Sequence, residues 1–320
     1  MVIAKLIFAI NFPIFLGYFF YLIGLFSEDD IPVLRRFVIK VTVPFIIFVN
    51  LVKADVELIH QIIPSVTAFI IMTILFTIVS ILLAPFVSRN EKDGNGFCIG
   101  TFVGNYGYLG WGVMFYFYGD AGFSRSVFFS MLFWPAFLLS GFIMTSIRSK
   151  SDSSFPWKKL GKLMVENGLV PIVVLTIALI MSASHIQLPE FIMKSMSSIA
   201  ALTVPIILFT VGLSFRLQVE KSKIKVIAYG VITRTVLSII PGIIAMVVAS
   251  ALFPSMDTLT KKTVLLISTM PSAAISPFFT EYLTSNKQIS SGILTFSTMF
   301  SLLTIPFWYW MIETYGYLLF

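Results

Sequence analysis

Apolar side chains run along this chain in long blocks, and polar residues gather in short breaks between them. Blocks bounded by charged or Pro/Ser-rich breaks fall at residues 3–25, 33–53, 62–87, 95–118, 124–147, 165–184, 194–215, 226–253, 263–283 and 291–315. A helix needs about 20 apolar residues to cross the hydrocarbon layer of a bilayer. The pattern therefore predicts an all-α membrane protein of ten transmembrane helices joined by short loops. The first block is too long for a signal peptide, and no small-residue cleavage site follows it before Glu28-Asp29-Asp30. It is expected to stay in the mature protein.

Composition makes lipid the solvent. Of 320 residues, 58% are hydrophobic and 12% charged, against about 25% charged in an ordinary soluble domain. With a mean hydropathy of +0.96, too few polar side chains remain to cover an apolar core with a wet skin. Two histidines, His60 and His185, and one cysteine, Cys98, give no metal-binding or His-based catalytic cluster. The sequence thus predicts no cofactor, no metal and no enzyme activity.

The net charge is +7, but the basic residues are dispersed between apolar blocks and read as membrane topology rather than as a nucleic-acid surface. Fifteen of the 22 Lys and Arg residues lie in loops after odd-numbered spans, six lie on the opposite side, and Arg234 stands inside span eight. Cytoplasmic loops retain positive charge during insertion, so both termini are expected outside the cytoplasm, in a multi-pass protein of the plasma or inner membrane. The longest polar stretch, residues 148–164, falls near the midpoint and reads as a cytoplasmic linker between a first repeat, 1–147, and a second, 165–320.

Those halves are related. Thr42-Val43-Pro44-Phe45-Ile46-Ile47-Phe48 recurs as Thr203-Val204-Pro205-Ile206-Ile207-Leu208-Phe209, an offset of 161 residues with five of seven positions identical. Each half holds five spans, an odd number, so the second enters the bilayer upside down. Inverted repeats are a recurring device of secondary transporters, because two halves of opposite orientation can expose one midplane site alternately to either side. A duplication without transport, as in some membrane enzymes and channels, is the alternative.

Span four is unusual in its glycines: Gly94, Gly96, Gly100, Gly104, Gly107, Gly110 and Gly112 fall within 19 positions. The spacing of four from Gly96 to Gly104 clears one helix face for a close neighbour. Beyond it, Asn105-Tyr106-Gly107-Tyr108-Leu109-Gly110 predicts an unwound stretch, since each glycine costs a helix interior about 1 kcal/mol relative to alanine. Adding the offset of 161 to Gly104 through Gly110 leads to Met270-Pro271 in span nine, where Pro271 and Pro277 flank Ser272 and Ser276. Proline removes an amide donor and disfavours helix at the residue before it. Paired breaks in corresponding spans point to a binding site. A continuous packed helix in span four and a simple proline kink in span nine are the bland alternatives.

Half-helices that begin at midplane present free N–H groups and positive dipole ends, which favour a small organic anion. No acidic residue sits at the centre of a span; Asp120, Glu166 and Glu281 come closest. Ion-coupled carriers often use such a group, so uniport or exchange is expected. Arg234, about 12 Å inside span eight, is a possible counter-charge for the solute, or else a residue that snorkels or pairs with a carbonyl. Trp308, Tyr309, Trp310 and Tyr315 read as an interfacial aromatic belt.

These residues resemble the auxin efflux carrier family, including its bacterial malate and malonate permease-type members. The marks are Gly17-Tyr18 and Gly24-Leu25 in the first span, Pro44 and Pro205, Leu208-Phe209 leading to Gly212-Leu213-Ser214, Asn105-Tyr106-Gly107-Tyr108-Leu109-Gly110, and Met270-Pro271-Ser272-Ala273. The family typically has a proline where this chain has Gly112. The resemblance implies scaffold and transport domains each drawn from both repeats, crossing broken helices in spans four and nine, carboxylate transport by an elevator-like movement, and a homodimer. Carried over residue by residue, it implies a substrate site at Gly104, Asn105, Tyr106, Gly107, Tyr108, Pro271, Ser272 and Ala273, with hinges or breaks at Pro44, Pro205, Gly110, Gly112 and Pro277. Two rival readings are a sodium- or proton-coupled carrier of the bile-acid type and a membrane-embedded receptor or channel.

Overall fold

A computed structural model describes residues 2–27, 29–52, 60–148, 158, 161–162, 165, 169–186, 188–213, 215, 219–276 and 285–318. About 84% of it is helical, and no strand occurs among the described residues. In chain order the helices are α1 (Val2–Leu22), α2 (Asp30–Phe37), α3 (Val43–Leu51), α4 (Ile62–Val87), α5 (Glu91–Thr101), α6 (Trp111–Ser130), α7 (Phe133–Arg148), α8 (Val170–Ala183), α9 (Glu190–Ala200), α10 (Thr203–Leu213), α11 (Ile224–Ile232), α12 (Ile239–Leu252), α13 (Thr258–Ser268) and α14 (Lys287–Tyr315). π-Helical turns at Val38–Thr42, Tyr106–Gly110 and Thr233–Leu237 join α2 to α3, precede α6, and join α11 to α12.

Helix α4 shows which solvent the chain is built for. Over 26 residues it rises about 39 Å, enough for a hydrocarbon layer of about 30 Å. Ile70, Ile74, Ile78 and Leu82 recur every fourth residue on its outside, with Ile74 53% and Leu82 61% exposed, whereas Thr73, Thr77 and Ser80 are buried. The hydroxyls of Thr73 and Thr77 donate back to the Phe69 and Thr73 carbonyls at 2.8 Å. Apolar outside and hydroxyl inside is the arrangement lipid favours, since every polar group must be satisfied within the protein. Among the described residues, four helical stretches can cross a membrane by length and composition, or five if α6 and α7 count as one bent span.

The chain forms two compact units, each drawn from both halves of the sequence. The first comprises Met1–Ile63, Gly107–Met131 and Lys158–Phe215. Here α1 packs on α10 and α3 packs on α8 and α9. The rings of Phe20 and Phe26 meet Phe209 edge-on at 6.0 and 5.2 Å. Pro44 lies in the first turn of α3, just after a π-helical turn. Pro205 lies in the first turn of α10, just after a two-residue break at Ala201-Leu202. Both positions spare the helix the clash of a proline ring with the preceding turn.

The second unit comprises Pro64–Tyr106, Leu132–Trp157 and Arg216–Phe320. The glycine spacing in α5 serves close packing: a Cβ on Gly96 would stand 2.7 Å from Cβ of Ile289, and one on Gly100 2.7 Å from Cδ1 of Ile293, both on α14. Asx side chains start the helices, with Asn90 accepting from Asp93 N at 3.3 Å for α5 and Asp257 accepting from Thr260 N at 2.6 Å for α13. A polar cluster ties four helix ends together. Asp93 accepts from Lys223 Nζ and from Asn286 Nδ2, each at 3.0 Å, and Arg148 Nε donates to Asn95 Oδ1 at 2.6 Å. Elsewhere in the unit, Lys262 pairs with Glu313 at 2.8 Å.

Two boundaries differ from the sequence reading. The turn expected between 118 and 124 is a kink inside α6 at Gly119, whose φ of 62° only glycine adopts readily, and a further break falls at Met131-Leu132. The expected linker, 148–164, lies mostly outside the described residues, as does Pro277.

Candidate functional site

Within the second unit, α5 and α13 end side by side. Both are eleven residues long, and their first residues, Glu91 and Thr258, are 167 positions apart. That spacing exceeds the offset of 161 between Pro44 and Pro205 by six, so it pairs Asn105 with Ser272 rather than with Leu266. Beyond the end of α5, Gly104 makes room for the Arg234 guanidinium and the Tyr106 ring, with both of which a Cβ there would collide. Helix α13 stops because Pro271 has no N–H to continue the ladder.

The two unwound segments cross as an antiparallel bridge between Gly104 and Ser272. Asn105 N donates to Pro271 O at 2.8 Å, and Ala273 N donates to Val103 O at 3.1 Å. Ser272 N donates to Ser297 Oγ of α14 at 3.1 Å. Backbone freed by the breaks is thus satisfied by protein, as hydrocarbon depth demands.

Arg234 reaches this crossing from the π-helical turn after α11 and is fully buried. Its Nη2 donates to Met270 O at 2.6 Å, and its Nη1 donates over a longer 3.4 Å to Thr101 O. Its Cζ lies 4.3 Å from the centre of the Phe76 ring and 6.0 Å from that of Tyr106, within cation–π reach. The Tyr106 ring is held edge-on by Phe69 at 6.1 Å and Phe133 at 6.4 Å. Among the described residues no carboxylate pairs with Arg234, and its Nε–H finds no acceptor. The buried hydroxyls of Ser272 and Ser276 likewise have no partner among the described residues.

Six of the sequence-designated residues, Gly104, Asn105, Tyr106, Pro271, Ser272 and Ala273, therefore meet at one crossing together with Arg234, all of them buried. Gly107, Gly110 and Gly112 belong to the first unit. There Gly110 precedes α6, and Gly112 packs under Val204, to which an added Cβ would stand at 3.2 Å. The backbone of Tyr108 lies in the π-helical turn at Tyr106–Gly110. Sequence reasoning missed Phe76, Ser297 and the Thr101 and Met270 carbonyls. Backbone carbonyls carry no sequence signal, and Phe76 and Ser297 sit in stretches of similar residues. Among the described residues no group of three or more His, Cys, Asp or Glu side chains could hold a metal ion.

The family described as "Membrane transport protein" matches residues 2–309. An uncharacterized transporter of Methanocaldococcus jannaschii is 27% identical over 308 residues, covering 93% of this chain and 95% of that protein. An uncharacterized transporter of Methanothermobacter thermautotrophicus is 28% identical over 116 residues, 36% of this chain and 38% of that protein. A helical membrane chain matched over nearly its whole length by one family belongs to it: the protein is a member of the membrane transport protein family, the auxin efflux carrier family that its Asn105 and Pro271 motifs resemble.

Proposed function

We propose that this protein is a secondary carrier of small organic anions, carboxylates or auxin-like acids, with its site at the helix crossover. One observation carries the reading. The crossing holds buried groups that find no hydrogen-bond partner among the described residues, the Arg234 Nε–H and the Ser272 and Ser276 hydroxyls. A donor-rich, low-dielectric site is completed by a ligand rich in acceptors, because an unmade buried hydrogen bond costs about 1–3 kcal/mol per group. The amide of Asn105, beside the bridge, adds a donor and an acceptor that can orient such a ligand.

In this reading ten membrane-crossing helices form two inverted five-helix repeats. The first compact unit acts as scaffold, and the second, which holds the crossing, carries the solute by an elevator-like movement in a homodimer of the cell membrane, with both termini outside the cytoplasm. Uniport or exchange fits a crossing at which no titratable carboxylate lies among the described residues. Pro44 and Pro205, in the first turns of α3 and α10, are its hinge positions.

The test is uptake of a panel of radiolabelled mono- and dicarboxylates into proteoliposomes, with and without sodium and proton gradients, using Asn105→Ala as control. Saturable flux lost in the variant is expected. Flux that requires sodium would favour a cation-coupled carrier of the bile-acid type, solute-gated current far above carrier turnover would favour a channel, and no flux of any acid would refute the anion reading.

A further inference from the structure

Arg234 donates to one carbonyl at the C-terminal end of α5 and to one just beyond that of α13. Thr101 is the last residue of α5, and Met270 lies two residues beyond the end of α13. The C-terminal end of a helix carries a partial charge of about −0.5, so two ends pointing at one place amount to about one negative elementary charge. A single guanidinium, donating to one carbonyl from each end, neutralises it. In lipid this negative focus must be met by some cation, because its carbonyls cannot turn to water. Without Arg234 a soluble cation would have to fill the place.

We propose that the Arg234 guanidinium is a tethered substitute for a mobile coupling cation, and that removing it opens a monovalent-cation site between the Thr101 and Met270 carbonyls. Gly104 is part of the device, since any larger residue there would expel the guanidinium. Phe76, with its ring face 4.3 Å from Cζ, gives the cation an apolar wall that still attracts positive charge. Arg234 is on this account a positioning residue: it holds the two unwound segments together, and the transported solute then carries its own charge across. The transport arm of the idea rests on the carrier reading above; the binding arm does not.

The test uses the purified full-length chain without solute, so its result stands whatever becomes of the anion reading. Melting midpoints of the wild type, Arg234→Ala and Arg234→Lys are compared in guanidinium, sodium and choline chloride at about 20 mM and matched ionic strength. Arg234→Ala should melt lower than the wild type and regain about 3 °C or more with guanidinium or sodium but not choline, as a ligand specific to the folded state requires. Arg234→Lys, which keeps the charge with fewer hydrogen bonds, should respond to the three salts no differently from the wild type. If Arg234→Ala fails to fold, Arg234→Lys and direct binding of radioactive sodium to the wild type decide the matter. Specific sodium binding by the wild type or by Arg234→Lys, or a folded Arg234→Ala indifferent to guanidinium and sodium, would overturn the proposal.

Discussion

The crossing of α1 and α10 allows an overpacking experiment with a computable answer. A Cβ added at Gly17 would land on the Phe209 carbonyl oxygen and 3.0 Å from its carbon; one at Gly212 would land on the Ile14 carbonyl oxygen and 2.9 Å from Tyr18 N. Carbon atoms rest at about 3.5–4.0 Å, and the obstructing atoms are backbone, so neither methyl can be accommodated by a side-chain rotation. The helices must separate, by about 1 Å. Overpacking of this kind costs about 1–3 kcal/mol, while alanine for glycine within a helix returns up to about 1 kcal/mol. Gly17→Ala and Gly212→Ala should therefore each destabilise by about 1–2 kcal/mol. Both methyls demand the same separation of the same helices, so the double variant should fall short of additivity by about 1 kcal/mol, within the usual range for coupled neighbours. Equilibrium unfolding in mixed dodecylmaltoside and SDS micelles measures the cycle. Single variants as stable as the parent, or a strictly additive double, would refute the claim that backbone contact sets this interface.

Three further outcomes are expected. Asp93→Ala strips the acceptor from Lys223 and Asn286, and should lower stability in the same assay by about 1–3 kcal/mol, part of which Lys223→Met in that background should restore; an unchanged midpoint would show the cluster to be ornamental. Cys98, buried with its Sγ 3.1 Å from the Ser80 carbonyl, should resist maleimide reagents until the chain unfolds, so labelling of the native protein at the rate of a free thiol would contradict its placement. In a Cys98→Ser background, a cysteine at Asn90 should be labelled from the cytoplasm and one at Ser255 from the outside; the reverse pattern would invert the orientation drawn from the basic residues.

Much of the crossing is legible in the sequence, because the residues at helix breaks are distinctive. Pro271 acts locally, through a missing N–H, and the spacing of Gly96, Gly100 and Gly104 announces close approach by a neighbour, though not that the neighbours are α14 and Arg234. The partners of Arg234 were not legible. They are main-chain oxygens 133 and 36 residues away, identical in chemistry to every other carbonyl in the chain. The offset failed for a related reason: the proline motifs fix a repeat of 161, but six residues added between them and the second break shift the crossing to 167. The tie among Asp93, Lys223 and Asn286 spans 130 and 193 residues, and only folding reveals it. The span boundaries leave Asp93, Arg148, Lys223 and Asn286 in breaks between apolar blocks, and in the second unit these residues cluster.

An unwound stretch of helix is commonly equated with looseness, but here each break is the other's partner. Asn105 and Ala273 donate across the gap to Pro271 and Val103, so amides that have left their helices remain shielded from exchange. In deuterated buffer these two N–H groups should persist like those of the helices on either side. A solute bound at such a place meets a surface already set in shape, and the entropy of ordering it has been met during folding rather than during each transport cycle.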